Sequence, residues 1–148
     1  MVAVMLARCR LESWELFAIR LQQAEKKLLE APKALKDNPL WHFLLLEIAL
    51  NSNKVENSPQ IVFENAVKRW PRGFAFYELL LTRMTPRWGG SWDLIDTFVK
   101  NSSQRLRASE GDSMYARLYL VLPAQDLALG ITKMNWSRMK VSFADLIA

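Results

Sequence analysis

The sequence predicts an all-α protein, and three observations carry that reading. Apolar residues recur at helical spacing over nearly the whole chain, and no stretch alternates polar and apolar residues long enough to argue a strand. Only five Gly and six Pro occur among 148 residues, too few for the many tight turns of an all-β fold. The chain is also 51% hydrophobic and 11% aromatic, too apolar to stay disordered. Its length suits a single domain over residues 1–148 that can hold a core without disulfide or metal.

In the first long segment Trp14, Phe17, Ala18, Leu21, Ala24 and Leu28 form one stripe, while Arg20, Gln22, Glu25 and Lys26 face away. Ser13 is placed to cap this helix and Pro32 lies just beyond its end. Residues 1–10 form a shorter helix before it or an extension of it. Asn38-Pro39 is a cap followed by proline at the first helical position. The helix it opens, Leu40 to Leu50, is apolar nearly all round apart from His42 and Glu47 and so belongs in the centre of a packed domain.

After a polar loop, Asn51 to Asn57, Ser58-Pro59 repeats that signal, and Val62, Phe63, Ala66, Val67 and Trp70 supply the next stripe, stopped by Pro71 and Gly73. Phe74 to Met84 is a further helix with Tyr77, Leu80, Leu81 and Met84 on one face. Ser91 caps the following one, with Leu94, Ile95, Phe98, Val99 and Ser102. Glu110-Gly111-Asp112 breaks the chain, Tyr115, Leu118, Tyr119 and Leu122 mark a helix that Pro123 interrupts, and a short piece follows around Leu127. The last helix carries Trp136, Met139, Phe143, Leu146 and Ile147 and lacks a polar outer face. It is expected to pack on a second copy or on a further segment of chain, as terminal helices otherwise turn a polar face to water. The expected core comprises Trp41, Leu44, Leu45, Ile48, Phe63, Ala66, Tyr77, Leu80 and Leu81.

Short helices joined by short loops pack as antiparallel hairpins, and residues 40–71 resemble one tetratricopeptide unit. Phe63 and Ala66 three apart, then Pro71 five further on, match the second helix of that motif, and Phe43 and Leu46 suit its first. Pro59 and Glu47 depart from it, standing where the motif has Ala and a small residue. A second, weaker copy spans 74–105. Pro86-Arg87-Trp88-Gly89-Gly90-Ser91, after a tyrosine-containing helix, resembles a signature of an uncharacterised bacterial family with tetratricopeptide-like helices. Trp136-Ser137-Arg138-Met139-Lys140 with Phe143 is similar to that family's later segment. The fold expected is an α-α superhelix or right-angled helical bundle of about six to eight helices, and members of the family this chain resembles usually continue beyond the point matching Ala148. The resemblance implies no activity.

Composition narrows the function classes. One cysteine, Cys9, excludes an internal disulfide framework and any multi-thiolate metal site, so the expected compartment is reducing and cytoplasmic. No apolar stretch is long enough to span a bilayer, and the first seven residues lack the charged start of a signal peptide. A net charge of +5 invites a nucleic-acid reading. Its spread argues against one: residues 1–36 hold seven basic and four acidic side chains, residues 37–100 seven of each, and residues 101–148 six and four. Phosphate contacts need a concentrated basic face.

Individual residues receive mostly structural readings. His42, the single histidine, sits between Trp41 and Phe43 and is expected at the core edge, bonded to a backbone carbonyl or to Glu47. Cys9 lies one residue from two arginines, which can lower a thiol pKa, yet it shares an apolar face with Val2, Met5 and Leu6. Asp93 and Asp96 share a helix face, as an acid–base pair does, but acids in a first turn also complement the helix dipole. Lys68, Arg69, Trp70, Arg72, Arg83, Arg87 and Trp88 form a basic, aromatic-interleaved set. The helix between its two halves parts them by roughly 15 Å.

The strongest candidate site is Arg87, Trp88, Gly89, Gly90 and Ser91. Two glycines before a helix N-terminus leave free N–H groups that attract anions, with Arg87 as a fork of donors and Trp88 as a stacking surface. The structural alternative is a tight turn in which Trp88 packs down and Arg87 pairs with an acid such as Asp93. Either way Ser91 is expected as the cap and Trp88 at least partly covered. The function expected is a protein- or peptide-binding helical module with no cofactor or metal. The alternatives are an unfamiliar enzyme using this loop and a weak nucleic-acid binder. Self-association through the last helix is a further expectation.

Overall fold

The computed structural model describes residues 2–52, 58–124, 127 and 133–148, with side chains from Ser13 onward. Among the described residues there are eight α-helices, one 3₁₀ turn and no strand. The chain forms two compact units, Met1–Ala66 and Val67–Ala148.

In the first unit α1 runs unbroken over Val2–Leu29. Ser13 is therefore inside the helix and not its cap. The short α2, Lys33–Lys36, was not legible in the sequence, and α3 follows over Pro39–Asn51. The Asn38 side chain accepts the Leu40 N–H at 2.8 Å, the cap that Asn38-Pro39 predicts. Three polar contacts tie down the end of α1 and the turn after it. Trp41 Nε1 donates to the Leu28 carbonyl at 2.8 Å, Lys36 Nζ donates to that of Leu29, and His42 Nε2 donates to that of Lys36 at 3.1 Å. His42 thus takes the carbonyl-bonded place expected of it, its ring edge-on to Trp41.

The stripe on α1 is only partly covered. Trp14, Phe17 and Ala24 are exposed, Ala18, Leu21 and Leu28 are half-buried, and Glu25, expected to face water, is buried. Length explains part of this: 28 residues extend about 42 Å, whereas the 13-residue α3 packed against α1 extends about 20 Å. Leu45, Leu46, Ile48 and Ala49 of α3 are buried, while Trp41 is half-buried and Leu44 exposed, against expectation. The helix α4 spans Pro59–Arg69 and begins at Ser58, whose Oγ accepts the Ile61 N–H. Val62, Phe63, Ala66 and Val67 are buried as expected.

The second unit continues with α5 (Phe74–Arg83), the 3₁₀ turn Pro86–Trp88, α6 (Trp92–Glu110), α7 (Ser113–Leu120) and α8 (Trp136–Ile147). The central helix is α7, which packs against α5, α6 and α8 and buries all but Arg117 and Leu120. Tyr77, Leu80 and Leu81 of α5 and Ile95, Val99 and Leu106 of α6 complete the core. The piece around Leu127 lies mostly outside the described residues, apart from a bond from the Leu127 N–H to the Pro123 carbonyl.

The last helix packs differently from its apolar pattern. Of Trp136, Met139, Phe143, Leu146 and Ile147 only Met139 is buried, and the helix turns Ser142 into the interior. A polar row makes the contact with α7. Arg138, Ser142 and Asp145, spaced four and three apart, meet the start of α7: Arg138 bonds the Asp112 carboxylate at 2.9 Å, and Asp145 Oδ2 accepts the Asp112 N–H at 2.7 Å. The Gly111 backbone has φ 57°, and a Cβ there would stand 2.4 Å from Asp145 Oδ2. The corner between α6 and α7 is thereby closed by glycine on one side and α8 carboxylate on the other.

Candidate functional site

The Arg87–Ser91 turn is built from the end of α5 forward. Thr85 is buried, its Oγ1 donating to the Thr82 carbonyl at 3.0 Å, and its own carbonyl accepts the N–H groups of both Trp88 and Gly90. Pro86 opens the 3₁₀ turn, where its lack of an N–H costs nothing. Gly89 has φ 86° and ψ 6°, the left-handed region that favours glycine. Gly90 is required for a different reason. A Cβ at that position would lie 1.9 Å from the Met84 carbonyl oxygen, so the chain passes over the end of α5 at backbone contact. Ser91 Oγ accepts the Leu94 N–H at 3.2 Å and caps α6, as expected.

On this braced turn the two large side chains point outward. Trp88 is 56% exposed, so it does not pack down. The Arg83 guanidinium lies 4.4 Å from its ring centroid, within the range of a cation–π contact. Arg87 is exposed and makes no hydrogen bond or ion pair with any described residue. Its expected partner is engaged elsewhere, since Asp93 accepts Lys133 Nζ at 2.9 Å. A Cβ built on Gly89 meets nothing within 4 Å, which leaves open space beside Trp88.

The other candidates are dispersed among structural contacts. Asp93 and Asp96 do not act on each other. Asp96 accepts Tyr119 Oη at 3.1 Å through Oδ1 and pairs with Lys100 through Oδ2 at 2.6 Å. Burial, then the neighbouring Tyr115 and Asp96, hold the Tyr119 phenol in its protonated form far above the usual tyrosine range. The bond to Asp96 raises the Lys100 ammonium above its ordinary value. In the basic set, Arg69 stacks on Trp70, and Arg72 pairs with Glu110 at 3.1 Å and donates to the Ser109 carbonyl. It is not a continuous basic face. The side chain of Cys9 lies outside the described residues.

Sequence reasoning missed Thr85 as the anchor of the turn and Lys133 as the partner of Asp93. Neither had a local signal, because Thr85 acts through burial and Lys133 lies 40 residues from Asp93. Among the described residues no group of three or more His, Cys, Asp and Glu side chains is placed to hold a metal ion, and no helix is long and apolar enough to cross a membrane. No family model, curated protein or solved structure matches this chain.

Proposed function

We propose that the protein is a peptide- or protein-binding helical module, with hairpins of the tetratricopeptide kind, and that the Arg87–Ser91 turn is a contact surface. The observation that carries this reading is a turn braced by backbone contacts, with an exposed Trp88 and an Arg87 that has no hydrogen-bond or ion-pair partner among the described residues. Tryptophan and arginine are the residue types that most often dominate binding energy at interfaces. A backbone fixed in advance loses less entropy on binding. An isolated exposed tryptophan needs no function, but a turn built from a buried threonine, a left-handed glycine and a glycine in backbone contact fixes the backbone from which both side chains project. The enzyme reading is weaker, since Asp93 and Asp96 are each committed to a cation or a phenol.

The test is selection of a displayed random-peptide library against the full chain, followed by affinity measurement on Arg87→Ala and Trp88→Ala. Selected peptides are expected to lose about tenfold or more in affinity for either variant, with melting temperatures close to that of the parent. Peptides that bind both variants as well as the parent would remove the turn from the binding surface.

A further inference from the structure

Resting on that reading of the turn, we propose that its partner is an acidic segment: an extended peptide that sets a carboxylate on Arg87 and an apolar side chain on Trp88. Charge singles out this chemistry. The nearest acid in sequence after Arg87 is Asp93, and Lys133 already occupies it at 2.9 Å, so the Arg87 guanidinium has no counter-charge among the described residues. A planar guanidinium presents a fork of donors that a carboxylate matches in two parallel bonds.

Further donors lie beside it. Arg83 stands against the Trp88 ring at 4.4 Å. The N–H groups of Trp92 and Asp93, in the first turn of the 19-residue α6, have no acceptor among the described residues. The positive end of that helix faces the same stretch of chain. The open space over Gly89 lets a peptide backbone come close between Trp88 and Ser91.

A polyphosphate fits less well. Nucleic acids need several unpaired cations along a track, but Arg72 is held by Glu110, Lys100 by Asp96 and Lys133 by Asp93. An arginine without an ion-pair partner among the described residues, beside an exposed indole, suits a single carboxylate next to an apolar residue.

The experiment titrates the ¹⁵N-labelled full chain with the peptide Gly-Glu-Leu-Glu-Phe-Glu-Gly and with two versions carrying Gln or Lys in place of Glu. The Trp88 indole signal is identified by its loss in Trp88→Phe. The Glu peptide is expected to move that signal and those of Gly89 and Gly90, and to bind roughly fivefold more weakly to Arg87→Gln and at raised salt. The Gln peptide binds more weakly by a similar factor and the Lys peptide leaves the signals in place. If the three peptides move the Trp88 indole equally, the acidic preference is wrong while the binding surface stands. If none moves it, the binding surface falls as well. If oligouridylate moves the same signals at lower concentration than the Glu peptide, the anion is a nucleic-acid phosphate and the proposal is overturned.

Discussion

The Ser142 hydroxyl of α8 accepts the backbone N–H of Ala116 in α7 at 2.7 Å and donates to the carbonyl of Asp112. The hydroxyl of one helix thus bridges the donor and acceptor of the first i to i−4 pair of another, since Ala116 is the fourth residue of α7 and Asp112 its cap. Asp112, which stands at the cap position of α7, makes no such side-chain bond there. It spends its carboxylate on Arg138 at 2.9 Å and on Arg107 at 3.7 Å.

Ser142→Ala should therefore destabilise the second unit by about 1–3 kcal/mol, the usual penalty for leaving a buried donor unsatisfied. Chemical denaturation measures it. A change within 0.3 kcal/mol, taken as roughly experimental error, would mean that the Ala116 N–H finds another acceptor.

The two glycines of the turn should respond in the reverse order of their backbone angles. Gly89 has the positive φ but open space around it, so Gly89→Ala is expected to cost only about 1 kcal/mol. Gly90 lacks a positive φ, yet its Cβ would collide with the Met84 backbone, and Gly90→Ala is expected to cost about 3 kcal/mol. Thermal melts of both variants decide it. A larger loss at Gly89 than at Gly90 would show that the close passage over α5 is not maintained.

Glu25 is buried, and its Oε1 has no hydrogen-bond partner among the described residues. An unpaired polar atom away from water is unfavourable. Glu25→Leu should raise stability by about 1 kcal/mol at neutral pH, read from the denaturation midpoint. A loss of stability would show that the carboxylate is engaged.

Tyr119 ties stability to alkaline pH. Its folded pKa is raised above the ordinary value of 10.0, so above that pH the folded state holds a proton that the unfolded state has released. The stabilisation is fully present below about pH 10 and falls as pH rises further, at up to ~1.4 kcal/mol per pH unit. Lys100, raised by the same Asp96, shifts stability in the same direction. Tyr119→Phe should flatten the decline between about pH 10 and 11. Identical slopes in variant and parent would show that this phenol does not govern it.

Much of the secondary structure was legible in the sequence, because helix periodicity and caps are local. The apolar spacing of α3 to α8, the Asn38-Pro39 and Ser58-Pro59 starts and the Ser91 cap all depend on residues within one or two turns of each other. For α1 the sequence leaves two alternatives, a separate first helix or an extension, and the structure shows the extension. Ser13 is a good cap residue, but residues 2–12 continue the helix through it.

The candidate turn divides the same way. That residues 87–91 connect two helices and end in a serine cap follows from the sequence alone. Whether Trp88 is covered, and whether Arg87 meets Asp93, depends on side chains brought together from distant parts of the chain: Arg83 beside Trp88, and Lys133 on Asp93. The last helix makes the point most plainly. Its sequence marks Trp136, Phe143 and Ile147 as the face to bury, whereas the structure buries Ser142, since α7 offers a backbone N–H and two carbonyls that a hydroxyl can serve and an apolar side chain cannot. Helix identity is set by local periodicity; which face is covered is decided by what the neighbouring backbone needs.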